Sequence, residues 1–301
     1  MEGILLARKQ TNITSAHFLN LLKKKLNLPR AVKIGHGGTL DKFASGLLVV
    51  GIGRRFTGLL HQTLTDTNKE YTAVIEFGQT STTDDPEGRF TETNAPLPSL
   101  SAIKKALSSF PLNKSFSQTA PLYSAKKISG RRFSDLARAG QSAPPKASSV
   151  TIFSIKIDGY TPPLCLEHCR EIRLTLSVSS GFYVRAFARD LGQTLHCGAY
   201  LKELTRIRIG EYHLSDALSL SDLDSNITLS AQFEGTVQNI GFRVFLRQQM
   251  EKLNLSGSAA NLPDGSVSLS ASGPLLQLIK LSESALAFPP RLTDSFLLWK
   301  K

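Results

Sequence analysis

The chain has 301 residues, 41% of them hydrophobic, which is enough for a well-buried core and for two domains, because single cores seldom grow past about 250 residues. Lys and Arg number 36 against 24 Asp and Glu, a formal net charge of +12, and that surplus predicts a polyanionic partner. No apolar run approaches the roughly 18 to 20 residues that span a bilayer, and MEGILLARKQ is too short and too polar for a signal peptide core, so a membrane partner is not expected and a cytoplasmic protein is.

From the N-terminus, SAHFLNLLKKKLNL reads as an amphipathic helix with Phe18, Leu22 and Leu26 four residues apart, Thr14 or Ser15 as N-cap, and an end near Pro29. Next comes GHGGTLDKFASG, residues 35 to 46, four glycines around the single carboxylate Asp41, running into the apolar LLVVGIG. An aspartate beside glycines is commonly a turn residue or a helix N-cap. Here the glycines at 35, 37 and 38 permit positive φ and close approach of a ligand, while the apolar run anchors the loop to the core, so Asp41 is also a candidate carboxylate at a site wall. GIGRRFTG lacks the full dinucleotide-binding spacing and a downstream acid, and a tight turn is expected there.

YTAVIEFG, residues 71 to 78, alternates in polarity and is rich in β-formers, which predicts a strand; SVTIFSIKIDGY and EIRLTLSVSSG predict two more, and VRAFARDLGQTL from Val184 a helix. Between them lie the polar loop TSTTDDPEGRF and a basic segment from Pro121 to Pro145, too long for a simple connector and a candidate clamp on a partner. Cys165, Cys169 and Cys197 are an odd count, and CLEHC lacks a fourth ligand and a second knuckle, so free thiols rather than zinc are expected and no metal site is assigned. The order of elements suggests an α/β protein of the α+β kind, on a mixed sheet rather than a regular parallel repeat.

Around SDLDSNITLSAQ the composition turns small and polar, and from residue 230 onward only seven Lys or Arg stand against five Asp or Glu, which leaves +10 of the +12 in the earlier part. The expected domains are therefore residues 1–228, where a polyanion would dock, and 229–301. In the second, Phe242, Leu246, Met250 and Leu253 follow helical spacing after a glycine-bounded loop, and NLPDG opens a hairpin before SVSLSASG. That order fits a small ferredoxin-like βαββαβ unit.

GHGGTLDKFASGLLVVGIG resembles the signature of the TruB-type tRNA pseudouridine synthases, in which a Gly-His-x-Gly-Thr-Leu-Asp run carries the essential aspartate. KEYTAVIEFGQTSTTDDPEG, APLYSAKKISGRRFSDLARAG and SSGFYVRAFARDLGQTLHCGAYLKELTRIRIGEY resemble three further motifs of that family, in order, across residues 3 to about 218. The resemblance implies a mixed, largely antiparallel sheet flanked by helices and a substrate uridine at position 55 in the T-arm of tRNA; such an isomerisation needs no cofactor, and a monomer without an obligate protein partner is expected. The resemblance also implies Asp41 as the catalytic carboxylate, Arg185 as its ion-pair partner, and Tyr71 and Leu204 against the two faces of the base; by themselves, the last two read equally well as core. His36, with Gly38, Thr39 and Leu40, would receive the extruded nucleotide. Tyr123 and Tyr183 would contact substrate, Lys69, Lys127, Arg131, Arg132 and Arg138 would meet phosphates, and Asp85 would orient the tyrosine or the RNA. The chain departs from the pattern with Lys42 in place of proline and Gly37 in place of a common threonine.

FEGTVQNIGFR, with the later Asn261, resembles acylphosphatase, in which such a loop cradles a phosphate. The resemblance implies an anion site of Gln238, Asn239, Gly241 and Arg243, with Asn261 holding a water, and a possible secondary hydrolytic activity. A structural unit, or an anion site turned to gripping RNA, fits the same loop. Two rivals to the synthase reading are an RNA-binding or folding chaperone with a silent pocket, and an acylphosphatase whose N-terminal part recruits RNA.

Overall fold

The structure is a computed structural model that describes residues 1–121, 127–128, 131–132, 147–161, 168–288 and 292–301. The chain folds into two compact units that interleave in sequence: Met1–Leu40, Gly46–Thr65 and Glu211–Lys301 form the first, Asp41–Ser45 and Asp66–Gly210 the second.

In the first unit the helix Ser15–Lys25 forms where its spacing predicts, with Phe18 and Leu22 buried. Of the two expected caps it is Thr14 that accepts from the His17 amide, at 3.1 Å. The Ser15 hydroxyl is already committed to the backbone of Leu40, donating to its carbonyl at 2.9 Å and accepting from its amide at 3.0 Å. Gly53, at φ +91°, caps the helix Arg54–Leu64, so the expected tight turn is a strand-to-helix junction. The reason lies in the residues that follow: the Thr57 amide finds the Gly53 carbonyl at 3.0 Å, and the turn continues as a helix.

The sheet of this unit runs in the order Ser256–Asn261, Val267–Pro274, Asn226–Gly235, Leu292–Lys300, Gly3–Lys9, Ser45–Ile52. Its first four strands, with the helices Phe242–Lys252 and Leu275–Ala287, make the expected split βαββαβ arrangement. The last strand then pairs in parallel with the first strand of the chain, Ile4 opposite Leu298 and Leu5 opposite Trp299. Trp299 is fully buried and its indole N–H donates to the Glu2 carbonyl at 2.8 Å. Arg55 forms an ion pair with Asp294 and donates to the Ser295 hydroxyl at 3.1 Å. The C-terminal element is thus joined to the N-terminal one by backbone ladder, core and charge together.

The second unit carries an antiparallel sheet in the order Ala199–Ile209, Lys69–Phe77, Glu171–Val178, Ala147–Thr161, Ser115–Thr119. The three predicted strands of this region are all present, and the helix Val184–Thr194 starts at the predicted residue. Alternation of polarity sets the register: Tyr71 lies opposite Leu176 on one side and Arg206 on the other, and Leu204 lies opposite Ala73. Mixed α/β architecture with a largely antiparallel sheet is therefore both the expected and the observed class. Among the described residues no helix is long and apolar enough to cross a membrane.

Candidate active site

Asp41 and Arg185, 144 residues apart in the chain, meet in the second unit. The Arg185 Nη2 donates to Asp41 Oδ1 at 3.3 Å, and Nε lies 3.0 Å from Oδ2 as an ion-pair contact, so one hydrogen bond and the charge of the guanidinium together hold the carboxylate. The remaining nitrogen, Nη1, donates to Asp85 Oδ2 and to the Thr83 carbonyl, each at 3.1 Å. One guanidinium therefore bridges two acids, and its side chain is only 4% exposed.

Asp85 is held just as firmly. Its second oxygen accepts from the Thr83 hydroxyl at 2.5 Å and from the Glu87 amide at 2.9 Å. Gly88 allows this tight loop, since a Cβ there would lie 2.2 Å from the Ser81 hydroxyl and 2.8 Å from the Thr83 amide. The expected place of Asp85, on the tyrosine or the RNA, is corrected: at 4% exposure and with both oxygens engaged, it acts on Arg185.

The Asp41 side chain is different, 38% exposed on the open side of the site although protein surrounds it elsewhere. Burial pushes its pKa above the ordinary aspartate value, Arg185 pulls it back, and the negative charges of Asp85 and Glu87 push it up again. Net, the carboxylate is more basic than a free one and yet oriented by a cation. Such a group can serve as nucleophile or proton acceptor. Lys42, in the place of the resembling family's proline, pairs with Glu87 at 3.1 Å.

Tyr71 and Leu204 lie on adjacent strands, two residues apart in register and so on one face of the sheet. Both are mostly buried. Lys69 is not where a phosphate contact needs it. Its side chain is buried, its ammonium donates to the Thr67 carbonyl at 3.2 Å, and burial together with the nearby Arg206 lowers its pKa to about 8. The expectation of a phosphate-binding Lys69 is corrected on that ground, because the desolvated amine is withdrawn from the surface.

In the first unit His36 ends the short strand Ile34–His36, and Gly38 has φ +140°. Leu40 is buried with its backbone pinned by Ser15, while Thr39 is exposed. Gly37 has a local reason: the Leu64 δ-methyl occupies the space of a side chain, 2.2 Å from an ideal Cβ. Tyr183 caps the helix that bears Arg185. Lys127–Ile128 and Arg131–Arg132 pair as short antiparallel strands, whereas Tyr123 and Arg138 lie outside the described residues. Cys169 and Cys197 are free and buried, and burial pushes the Cys169 thiol up to about 11; Cys165 lies outside the described residues.

In the C-terminal loop Asn239 and Gly241 both adopt the left-handed conformation, φ +60° and +80°, so asparagine serves where a glycine is usual. Gln238 is spent on the fold, donating to the Leu262 and Ser266 carbonyls at 2.8 and 2.9 Å. Arg243 is exposed in the first turn of its helix and Asn261 is exposed at its strand end.

Sequence reading did not find Thr83, Gln118 or the pair Arg189–Asp84, joined at 3.1 Å. The spacing of Arg185 and Arg189, one helical turn apart beside two adjacent aspartates in TTDDP, is the signal that could have suggested the latter.

Comparison with known proteins identifies the family. Residues 23–184 match the family model for the N-terminal domain of TruB family pseudouridylate synthases, residues 185–248 that for the C-terminal domain of tRNA pseudouridylate synthase B, and residues 229–293 that for acylphosphatase. The chain is 36% identical to the tRNA pseudouridine synthase B of Chlamydia abortus over 74% of its own length and 89% of that protein's. To the enzyme of the same name from Aquifex aeolicus it is 36% identical over 75% of each chain. Among solved structures it resembles a chain of a Cbf5-Nop10-Gar1 complex at 25% identity with a TM-score of 0.54, covering 73% of this chain and 53% of that one. With an aspartate in the signature loop, its guanidinium partner on a distant helix, and a family model matching more than half of its residues, the chain belongs to the TruB family of pseudouridylate synthases.

Proposed function

We propose that this protein isomerises uridine 55 in the T-arm of tRNA to pseudouridine, with Asp41 as the reacting carboxylate. The reaction breaks the N1–C1′ glycosidic bond and forms a C5–C1′ bond; the C5 hydrogen leaves as a proton and N1 gains one. No electrons are exchanged with an outside reagent, so a carboxylate that can add to substrate or accept a proton is sufficient chemistry. The observation that carries the reading is the contact of Arg185 with Asp41, an ion pair at 3.0 Å and a hydrogen bond at 3.3 Å, on a carboxylate that still has an open side. Tyr71 and Leu204 supply apolar contacts for the extruded base, and the basic surplus supplies affinity for the backbone. The protein acts on RNA as a monomer, through residues 1–228.

The test uses tRNA transcripts carrying tritium at C5 of uridine. Tritium release of one equivalent per tRNA is expected, and none from a transcript with cytidine at position 55. Release from that second transcript would sink the assignment of position, and no release from either would sink the activity.

A second activity of residues 229–301, hydrolysis of acyl phosphates, is supported by Arg243, which stands exposed two residues after the left-handed Gly241, in the first turn of the helix. Acetyl phosphate hydrolysis by the full chain is expected to fall at least about tenfold in Arg243→Ala, the loss of a charge-assisted contact. A wild-type protein without hydrolysis leaves this region as a structural or anion-anchoring unit.

A further inference from the structure

Gln118 is the inward-facing residue of the strand Ser115–Thr119, and it is 2% exposed. A buried carboxamide must find partners for a donor and an acceptor at once, and here both are on one residue. Its Nε2 donates to the Tyr183 carbonyl at 3.0 Å, and its Oε1 accepts from the Tyr183 amide at 2.9 Å. Tyr183 is the N-cap of the helix Val184–Thr194 and offers no side-chain cap of its own. The carboxamide thus does what a neighbouring strand would do, fixing the peptide from which that helix starts. Arg185 is the second residue of the helix, two positions beyond the clamped one.

A second link joins the same strand to the same helix. Arg189, one turn after Arg185, donates to the Thr119 carbonyl at 3.3 Å and pairs with Asp84 at 3.1 Å. Asp84 is adjacent to Asp85, which Arg185 holds, and the Asp84 carbonyl accepts from the Leu201 amide at 3.0 Å. Strand and loop are therefore both tied to the helix through Arg189, and Arg185 adds a second link from the helix to the loop. Loosening the helix start would let the Arg185 guanidinium withdraw from Asp41 while Arg189 still keeps the helix in place.

We propose that Gln118 is a positioning residue for the isomerisation: its two hydrogen bonds to the Tyr183 backbone set the helix start so that Arg185 reaches Asp41. The inference rests on the reading of Asp41 as the reacting carboxylate. Gln118→Met keeps the length and removes both hydrogen bonds; Gln118→Glu keeps an acceptor and loses the donor. Either change is expected to lower kcat about tenfold or more, since small misplacements of catalytic groups have effects of that order, with KM for tRNA changed less than about twofold.

The pH profile supplies the readout that a purely structural role would not move. Asp41 is faced by Arg185, Asp85 and Glu87, with Lys42 beside it on Glu87. A withdrawn guanidinium leaves two negative neighbours and burial, so the acid limb of kcat moves to higher pH in the variants. Wild-type kcat and acid limb in both variants would overturn the proposal. So would a lowered melting temperature with an unmoved acid limb, which makes Gln118 a structural residue only. Should one variant fail to fold, the other carries the measurement. Asp41→Asn, assayed in parallel, separates the two levels: full activity there removes the underlying reading, whereas an inactive Asp41→Asn beside a wild-type-like Gln118 series removes only this inference.

Discussion

Asp41→Asn is expected to lower the single-turnover rate of pseudouridine formation by about 10⁴-fold or more, the size of loss that follows removal of a nucleophile or essential base. The amide keeps the shape of the carboxylate but can neither add to substrate nor accept a proton. Affinity for tRNA should persist, because it comes from phosphate contacts spread over a chain of net charge +12, and removing one negative charge does not weaken it. The measurement pairs tritium release with a filter-binding titration; turnover within a hundredfold of wild type, or loss of binding together with rate, contradicts the role.

The same residue sets the pH dependence. Asp41 must be ionised to react, and burial holds its pKa above the ordinary 3.8. The acid limb of the wild-type profile therefore lies above that value. A folded-state pKa raised above the unfolded one means that the folded chain binds the proton more tightly. Asp41 thus favours folding most at low pH, and this contribution is lost as pH rises through the raised pKa. The ionised form is held at a cost that the rest of the fold covers, as is usual where a site is built for reactivity rather than stability.

Arg185→Ala should harm both activity and stability. The guanidinium engages Asp41, Asp85 and the Thr83 carbonyl, and both Arg185 and Asp85 are 4% exposed. Removing one partner of a buried ion pair leaves an uncompensated charge and costs about 3 to 5 kcal/mol. The loss should be larger at pH 8 than at pH 5.5, because without the cation Asp41 takes up a proton more readily and the repulsion between the two acids relaxes. Arg185→Lys restores the charge without the planar fork, so it should recover part of the melting temperature and little of the rate. Thermal melts at the two pH values and single-turnover rates check this; a variant as stable as wild type would mean that the bridge carries no structural weight.

Much of this was legible in the sequence because its signals are local. Four-residue spacing of Phe18, Leu22 and Leu26 marks a helix whatever it packs on, and alternation in YTAVIEFG marks a strand. The loop around Asp41 is legible as a contiguous motif, although of its glycines at 35, 37 and 38 only Gly38 takes a positive φ. Arg185 as its partner came through resemblance to a family. Lys69 was misplaced because its residue type says nothing about depth, and its burial follows from strand pairing on both sides.

The sequence by itself determined the element types of the main strands and helices, the βαββαβ order of the C-terminal region and the candidate carboxylate, Asp41. Each of these depends on short-range periodicity or on a contiguous motif. Only the tertiary structure decided that Asp85 holds Arg185, that Gln118 clamps Tyr183, and that the last strand of the chain lies in parallel beside the first. Those contacts join residues 65 to nearly 300 positions apart. Such pairings depend on geometry set by the whole packed core, and no local run of residues encodes them.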